Sequence, residues 1–150
     1  MSPDSVWSAL LWLMISWVLA LPIAWHRERS MIGLRTLPLV SIASCGFLLV
    51  GLEVAADDPN ANARLVSGLM TGIGFIGGGA ILKEGDHVRG TSTAAAVWAT
   101  GAIGASVAFQ RLELAVAIAL VTFGTFLILT PLGKRIDTNN ESDDTGGESG

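Results

Sequence analysis

Val6–Trp25, VWSALLWLMISWVLALPIAW, runs for 20 residues without a charged side chain. A helix needs about 20 mostly apolar residues to cross the ~30 Å hydrocarbon core of a bilayer. Outward from this stretch the pattern recurs. Leu37–Val54 carries one charge, Glu53, at its end, and Leu65–Leu82, Thr91–Phe109 and Leu114–Leu132 carry none. A buried core helix of a soluble domain accounts for one such run. Five in 150 residues leave no polar shell to enclose them. The expected fold class is an all-α membrane protein: a five-transmembrane-helix bundle with spans at about 6–25, 37–54, 65–82, 91–109 and 114–132, inside a membrane domain of residues 1–136.

Residues 2–5, Ser-Pro-Asp-Ser, lack the basic stretch that precedes the apolar part of a signal peptide, so the first span is read as retained. At the other end, residues 137–150 hold five acids and no base, within a run of Asp, Glu, Ser, Asn and Gly. Such a segment cannot bury enough apolar surface to fold and is expected to be a disordered acidic tail. It also explains the net charge of −4, because the rest of the chain has 8 acids against 9 bases. No basic face calls for a nucleic-acid partner.

The loops set the orientation. Arg27, Arg29 and Arg35 lie between spans one and two, Lys83 and Arg89 between three and four, and Lys134 and Arg135 after span five. The opposite side has only Arg64 and Arg111. Lysine and arginine concentrate on the cytoplasmic side, so the N-terminus is expected outside and the C-terminus in the cytoplasm. Trp7 and Trp25 bracket span one. Their separation of 18 residues corresponds to about 27 Å of helix, close to the spacing of the two membrane interfaces. Trp12 and Trp17 fall between them and are read as packing residues.

Catalytic signatures are lacking. No Ser-His-Asp set, no HExxH and no metal-ligand cluster occurs, and the spans carry almost none of the polar groups that intramembrane chemistry requires. The single Cys45 excludes an intrachain disulfide and reads as a small apolar residue in mid-span. The chain is expected to be non-enzymatic, with no cofactor and no assignable metal site. Its first partner is the lipid bilayer.

Span three is the unusual one, with Gly68, Gly72, Gly74, Gly77, Gly78 and Gly79. Glycine is costly inside a helix, but in a membrane it lets another backbone approach closely. Ser67, Thr71, Gly74 and Gly78 share one face, and span four offers a stripe of Ala96, Thr100, Gly104 and Ala108. Either spans three and four pack closely through these faces, or Gly77–Gly79 breaks the helix and lines a cavity. The same kind of face suits other membrane proteins or a homo-oligomer. Arg89 with Thr91, Ser92 and Thr93 stands at the start of span four. These residues either hold an anion on free backbone N–H groups or supply an ordinary N-cap. On the outer side, Asp57-Asp58-Pro59 near Glu53 has the oxygen ligands a divalent cation takes, yet Asp58 is also a natural N-cap and Pro59 a natural first helical residue. Arg64 is placed to pair with one of these acids.

Three stretches together resemble the MgtC/SapB family of bacterial inner-membrane proteins. They are Arg27-Glu28 followed by Gly33-Leu34-Arg35-Thr36 and Leu39-Val40; Asp58-Pro59, Arg64 and Gly72-Ile73-Gly74-Phe75-Ile76-Gly77-Gly78-Gly79-Ala80-Ile81; and Val88-Arg89-Gly90-Thr91-Ser92-Thr93-Ala94-Ala95 with Trp98 and Gly104. The resemblance covers roughly residues 7–130. It implies a five-span, multi-pass inner-membrane domain and a role in adaptation to low magnesium, acid or intracellular stress, including virulence. It further implies modulation of other membrane proteins, such as the ATP synthase. Ala24-Trp25-His26-Arg27 stands where the family often has Gly-x-Glu-Arg, and Thr91-Ser92-Thr93 where it has Leu-Thr-Thr. Some members add a cytoplasmic ACT-like domain; here the acidic segment follows span five. A small ion or solute transporter with its site at Gly77–Gly79 and Thr91–Thr93 is the alternative function.

The orientation is directly testable. A reporter fused after Gly150 that is active only when exported is expected to stay silent, and the same reporter placed before Val6 is expected to be active.

Overall fold

The computed structural model describes residues 3–26, 33–55, 58–85 and 87–144. Five helices account for most of them: α1 Pro3–His26, α2 Gly33–Ala55, α3 Pro59–Gly79, α4 Thr91–Ala108 and α5 Leu112–Asp144. By length and hydropathy, three are suited to crossing a membrane, over Val6–His26, Leu34–Ala55 and Leu112–Thr130. Helices α3 and α4 cover the expected third and fourth segments but are less apolar. Asn60, Asn62, Ser67, Thr71 and the glycines dilute α3, and α4 is built largely from Ala, Gly, Ser and Thr.

The all-α expectation holds except between α3 and α4. There a small hairpin forms from β1 Leu82–Glu84 and β2 His87–Arg89, paired antiparallel as Leu82 with Arg89, Lys83 with Val88 and Glu84 with His87. Gly85 turns it with φ +61, a left-handed conformation that glycine enters without a Cβ penalty. Strands of three residues are too short to leave a periodic trace in the sequence. At the far end, α5 continues beyond the apolar stretch through residues 137–144 of the acidic segment; residues 145–150 lie outside those described.

Helix α4 is the axis. It packs against all four other helices, most extensively against α2. Around it, α3 neighbours α2, α2 neighbours α1, and α1 neighbours α5. Ten of the 18 residues of α4 are buried, on several faces. Its polar groups are satisfied inside the helix: Thr100 Oγ1 donates to the Ala96 carbonyl at 2.9 Å and Ser106 Oγ to that of Ala102 at 2.8 Å. A hydroxyl bonded to its own backbone needs neither water nor a partner helix.

The tightest packing joins α1, α2 and α4. A Cβ on Gly104 would lie 2.1 Å from the Ser41 carbonyl oxygen and 2.9 Å from its carbon, so α4 meets the backbone of α2 there. On its other side, Ser41 Oγ donates to the Ser16 carbonyl of α1 at 3.1 Å, and the two hydroxyls lie 2.8 Å apart. Ser16, Ser41 and Cys45 are fully buried. Trp7 and Trp25, at the two ends of α1, are each 72% exposed, as interfacial residues are.

Gly104→Ala is expected to destabilise by about 1–3 kcal/mol, because the backbone it strikes cannot yield as a flexible side chain does. Ser41→Ala is expected to cost about 0.6–1.7 kcal/mol through the lost interhelical bond. Gly72→Leu should change stability by less than about 0.5 kcal/mol, since a Cβ there meets nothing within 4 Å. Thermal unfolding of the three variants in one detergent gives the ranking.

Candidate functional site

Asp58, Arg64, Gly77–Gly79 and Arg89–Thr93 lie toward the two ends of α3, whereas Gly68, Gly72 and Gly74 fall along it and Gly104 lies in α4. At the start of α3, Asp58 caps the helix: its side chain accepts from the Asn60 N–H at 2.9 Å, and Pro59 takes the first helical position. The carboxylate is therefore engaged in local structure. Arg64, about one and a half turns further on, is exposed and lines a cleft with Asp58 and Asn60. Arg64 takes no carboxylate among the described residues, where the ion pair is Arg111 with Glu113, at the start of α5. Glu53 is exposed, and no group of three metal-ligating side chains occurs among the described residues.

At its other end, α3 passes unbroken through Gly77 and Gly78 and stops at Gly79. The Ala80 and Ile81 N–H groups return to the Gly77 and Gly78 carbonyls, each at 3.1 Å. The glycines of α3 divide by environment. Gly74 and Gly77 face the Trp98 indole of α4, with a Cβ on either coming within 3.4–3.5 Å of the ring. Gly68, Gly72, Gly78 and Gly79 have nothing within 4 Å of such a Cβ. The small-residue stripe expected to bind α3, Ala96-Thr100-Gly104-Ala108, is buried, but at Gly104 it meets α2. Contact between α3 and α4 runs instead through Trp98 and through Gly101, whose missing side chain admits Ile73. Gly101 was not singled out in the sequence. Its spacing of three from Gly104 was the available sign.

The chain then returns through the hairpin to Gly90, which has φ +88 and sits against Ala80; a Cβ there would fall 1.9 Å from the Ala80 carbonyl oxygen. Gly90 is the N-cap of α4 and makes no side-chain cap bond, while its carbonyl accepts from the Ala94 N–H at 2.9 Å. The expected hydroxyl cap is thus replaced by a glycine, because the hairpin presses the entering backbone against the end of α3. Thr91 and Ser92 are exposed, and Thr93 and Arg89 have partners within the protein. Gly77–Gly79 and the start of α4 are brought together, with the Ala94 carbonyl 3.5 Å from a Cβ placed on Gly77. Arg35 is exposed in the first turn of α2. Arg27 and Glu28 lie outside the described residues.

One face of α3 is exposed, its Ser67 and Thr71 bordering a cleft toward Trp98 and Phe109. Ser67, Thr71, Phe75 and Gly78 follow it at helical spacing and all are exposed, Phe75 to 85%. Chemically it offers small and hydroxylated residues around one aromatic ring.

Comparison with known proteins places these features. The chain is 32% identical over 110 residues to the Protein MgtC of Salmonella typhimurium, a match covering 73% of this chain and 46% of the relative. It is 33% identical over 131 residues to an uncharacterized protein of Synechocystis, covering 86% of this chain and 55% of that one. Over 72 residues it is 40% identical to the Protein MgtC of Brucella abortus, covering 48% and 29%. The chain thus spans about half or less of the length of these relatives. No solved structure matches. The family model described as the MgtC family matches residues 13–135, from the middle of α1 to beyond the apolar part of α5, and the chain belongs to the MgtC family.

Proposed function

We propose that this chain is a non-enzymatic, multi-pass protein of the bacterial inner membrane that acts by helix contact on other membrane proteins under magnesium limitation, acid or intracellular stress. All five helices cross the bilayer, with the N-terminus outside and the C-terminus in the cytoplasm. The observation that carries the proposal is the free face of α3: Ser67, Thr71, Phe75 and Gly78 are exposed along a helix that packs substantially on α2 and α4 alone. In lipid, association between helices relies on close packing and hydrogen bonds, and small and hydroxylated residues supply both. The magnesium context comes from the family relationship. The proposed partner class is a helical membrane subunit, such as one of the ATP synthase.

A photo-cross-linker at Phe75 in native membranes is expected to capture such a subunit, and membranes containing the chain are expected to show reduced proton-driven ATP synthesis. Gly78→Leu should restore synthesis while leaving the chain folded, because a Cβ at that position has open space inside the protomer. Unchanged synthesis with no captured subunit would refute this version. Passage of a labelled cation or anion into liposomes carrying the purified chain would assign a transport role instead.

A further inference from the structure

The seam between α2 and α3 is the slightest of the substantial helix contacts. At its outer end the helices touch, with Leu65 seated over Gly51. Below that point they part around a groove of about 420 Å³, walled by Val40, Phe47 and Leu48 of α2 and by Leu69, Gly72 and Ile76 of α3. The bare glycines Gly68 and Gly72 widen it. Arg64 stands at its mouth and also borders the polar outer cleft that holds Asp58 and Asn60. One oxygen of the Asp58 carboxylate accepts from the Asn60 N–H at 2.9 Å. Among the described residues no carboxylate is paired with Arg64.

The dimensions select the occupant. From Arg64 to Ile76 the groove follows twelve residues of α3, which is about 18 Å at the helical rise. One leaflet of the hydrocarbon core is about 15 Å deep. A helix from a second copy or from another protein would need a groove continuing through the opposite leaflet. Beyond Ile76, however, Gly77 turns to Trp98 and the groove ends. An apolar channel one leaflet deep, headed by an exposed arginine, is complementary in shape and charge to a phospholipid tail below its phosphate. Arginine suits that end because its planar fork matches phosphate oxygens.

We propose that the α2/α3 groove binds one tail of an anionic phospholipid, with Arg64 on its phosphate. This site is separate from the free face of α3 around Phe75 and Gly78.

The test is native mass spectrometry of the full purified chain in detergent, titrated with dioleoyl phosphatidylglycerol or dioleoyl phosphatidylcholine. The wild type is expected to retain one phosphatidylglycerol per chain, about fivefold more tightly than phosphatidylcholine, as expected for one arginine at an anionic lipid surface. Arg64→Gln should abolish the preference yet still retain a lipid. The double variant Gly68→Leu/Gly72→Leu should lose retention of both lipids while its unfolding temperature in lipid-free micelles stays in place. No retained lipid in the wild type, no preference for phosphatidylglycerol, or undiminished retention in the double variant would each overturn the proposal. A wild-type dimer that the double variant dissociates would also overturn it, by assigning the groove to a second copy.

Discussion

The approach of α4 to α2 at Gly104 and Ser41 is the constraint on which the rest of the bundle depends. In lipid there is no hydrophobic drive between helices, so they hold together only where their surfaces come close enough for packing and hydrogen bonding. At this level Gly104 leaves no side chain between its helix and the Ser41 carbonyl, while the Ser41 hydroxyl bonds to Ser16 of α1. Three helices are therefore pinned at one depth by two residue types, glycine and serine. The hydroxyls of Thr100 and Ser106 turn back onto their own helix, so α4 sits on the bundle axis without an unpaired hydroxyl at either position.

Much of this was legible in the sequence because uncharged length is a strong signal. The helix positions follow the five uncharged runs, and Asp58-Pro59 opens α3 as N-cap and first residue. Cys45 is buried as read, Trp7 and Trp25 are exposed, and Trp17, read as a packing residue, is exposed as well. What the sequence did not reveal is which small residue faces which helix. Gly104 lies on a stripe that fits α3 and α2 equally well by spacing, and three-dimensional contact alone assigns it to α2. Trp98 was not a packing candidate for the α3 glycines, since periodicity says nothing of a bulky ring laid across a neighbouring helix. The hairpin and the Gly90 cap also escaped, because strands of three residues and a positive φ leave only a glycine in the sequence as their trace.

The division of the α3 glycines shows that one compositional feature serves different physical ends. Gly74 and Gly77 make room for an indole within the protein, whereas Gly68 and Gly72 leave space toward α2, and Gly78 and Gly79 are bare at the surface. A helix carrying six glycines pays a large backbone-entropy penalty, so burial against α4 at two of them does not account for the other four. The free positions are where external contacts, lipid or protein, have something to gain.

Helix α3 is lightly packed yet firmly tethered. At one end the Asp58 N–H donates to the Ala55 carbonyl of α2 at 3.0 Å, and at the other the backbone at Gly90 lies so close to Ala80 that no side chain fits between them. The hairpin therefore ties the last turn of α3 to the first turn of α4, the helix that touches every other one. A partner or lipid acting on the exposed side of α3 would meet a helix held at both ends but weakly supported along its length. Along its length, the close approaches of α3 to α4 are at Trp98 and at Ile73 against Gly101. The contact of α3 at Gly101 thus lies three residues, less than one turn, from the Gly104–Ser41 contact, so one stretch of α4 carries its close approaches to both α3 and α2.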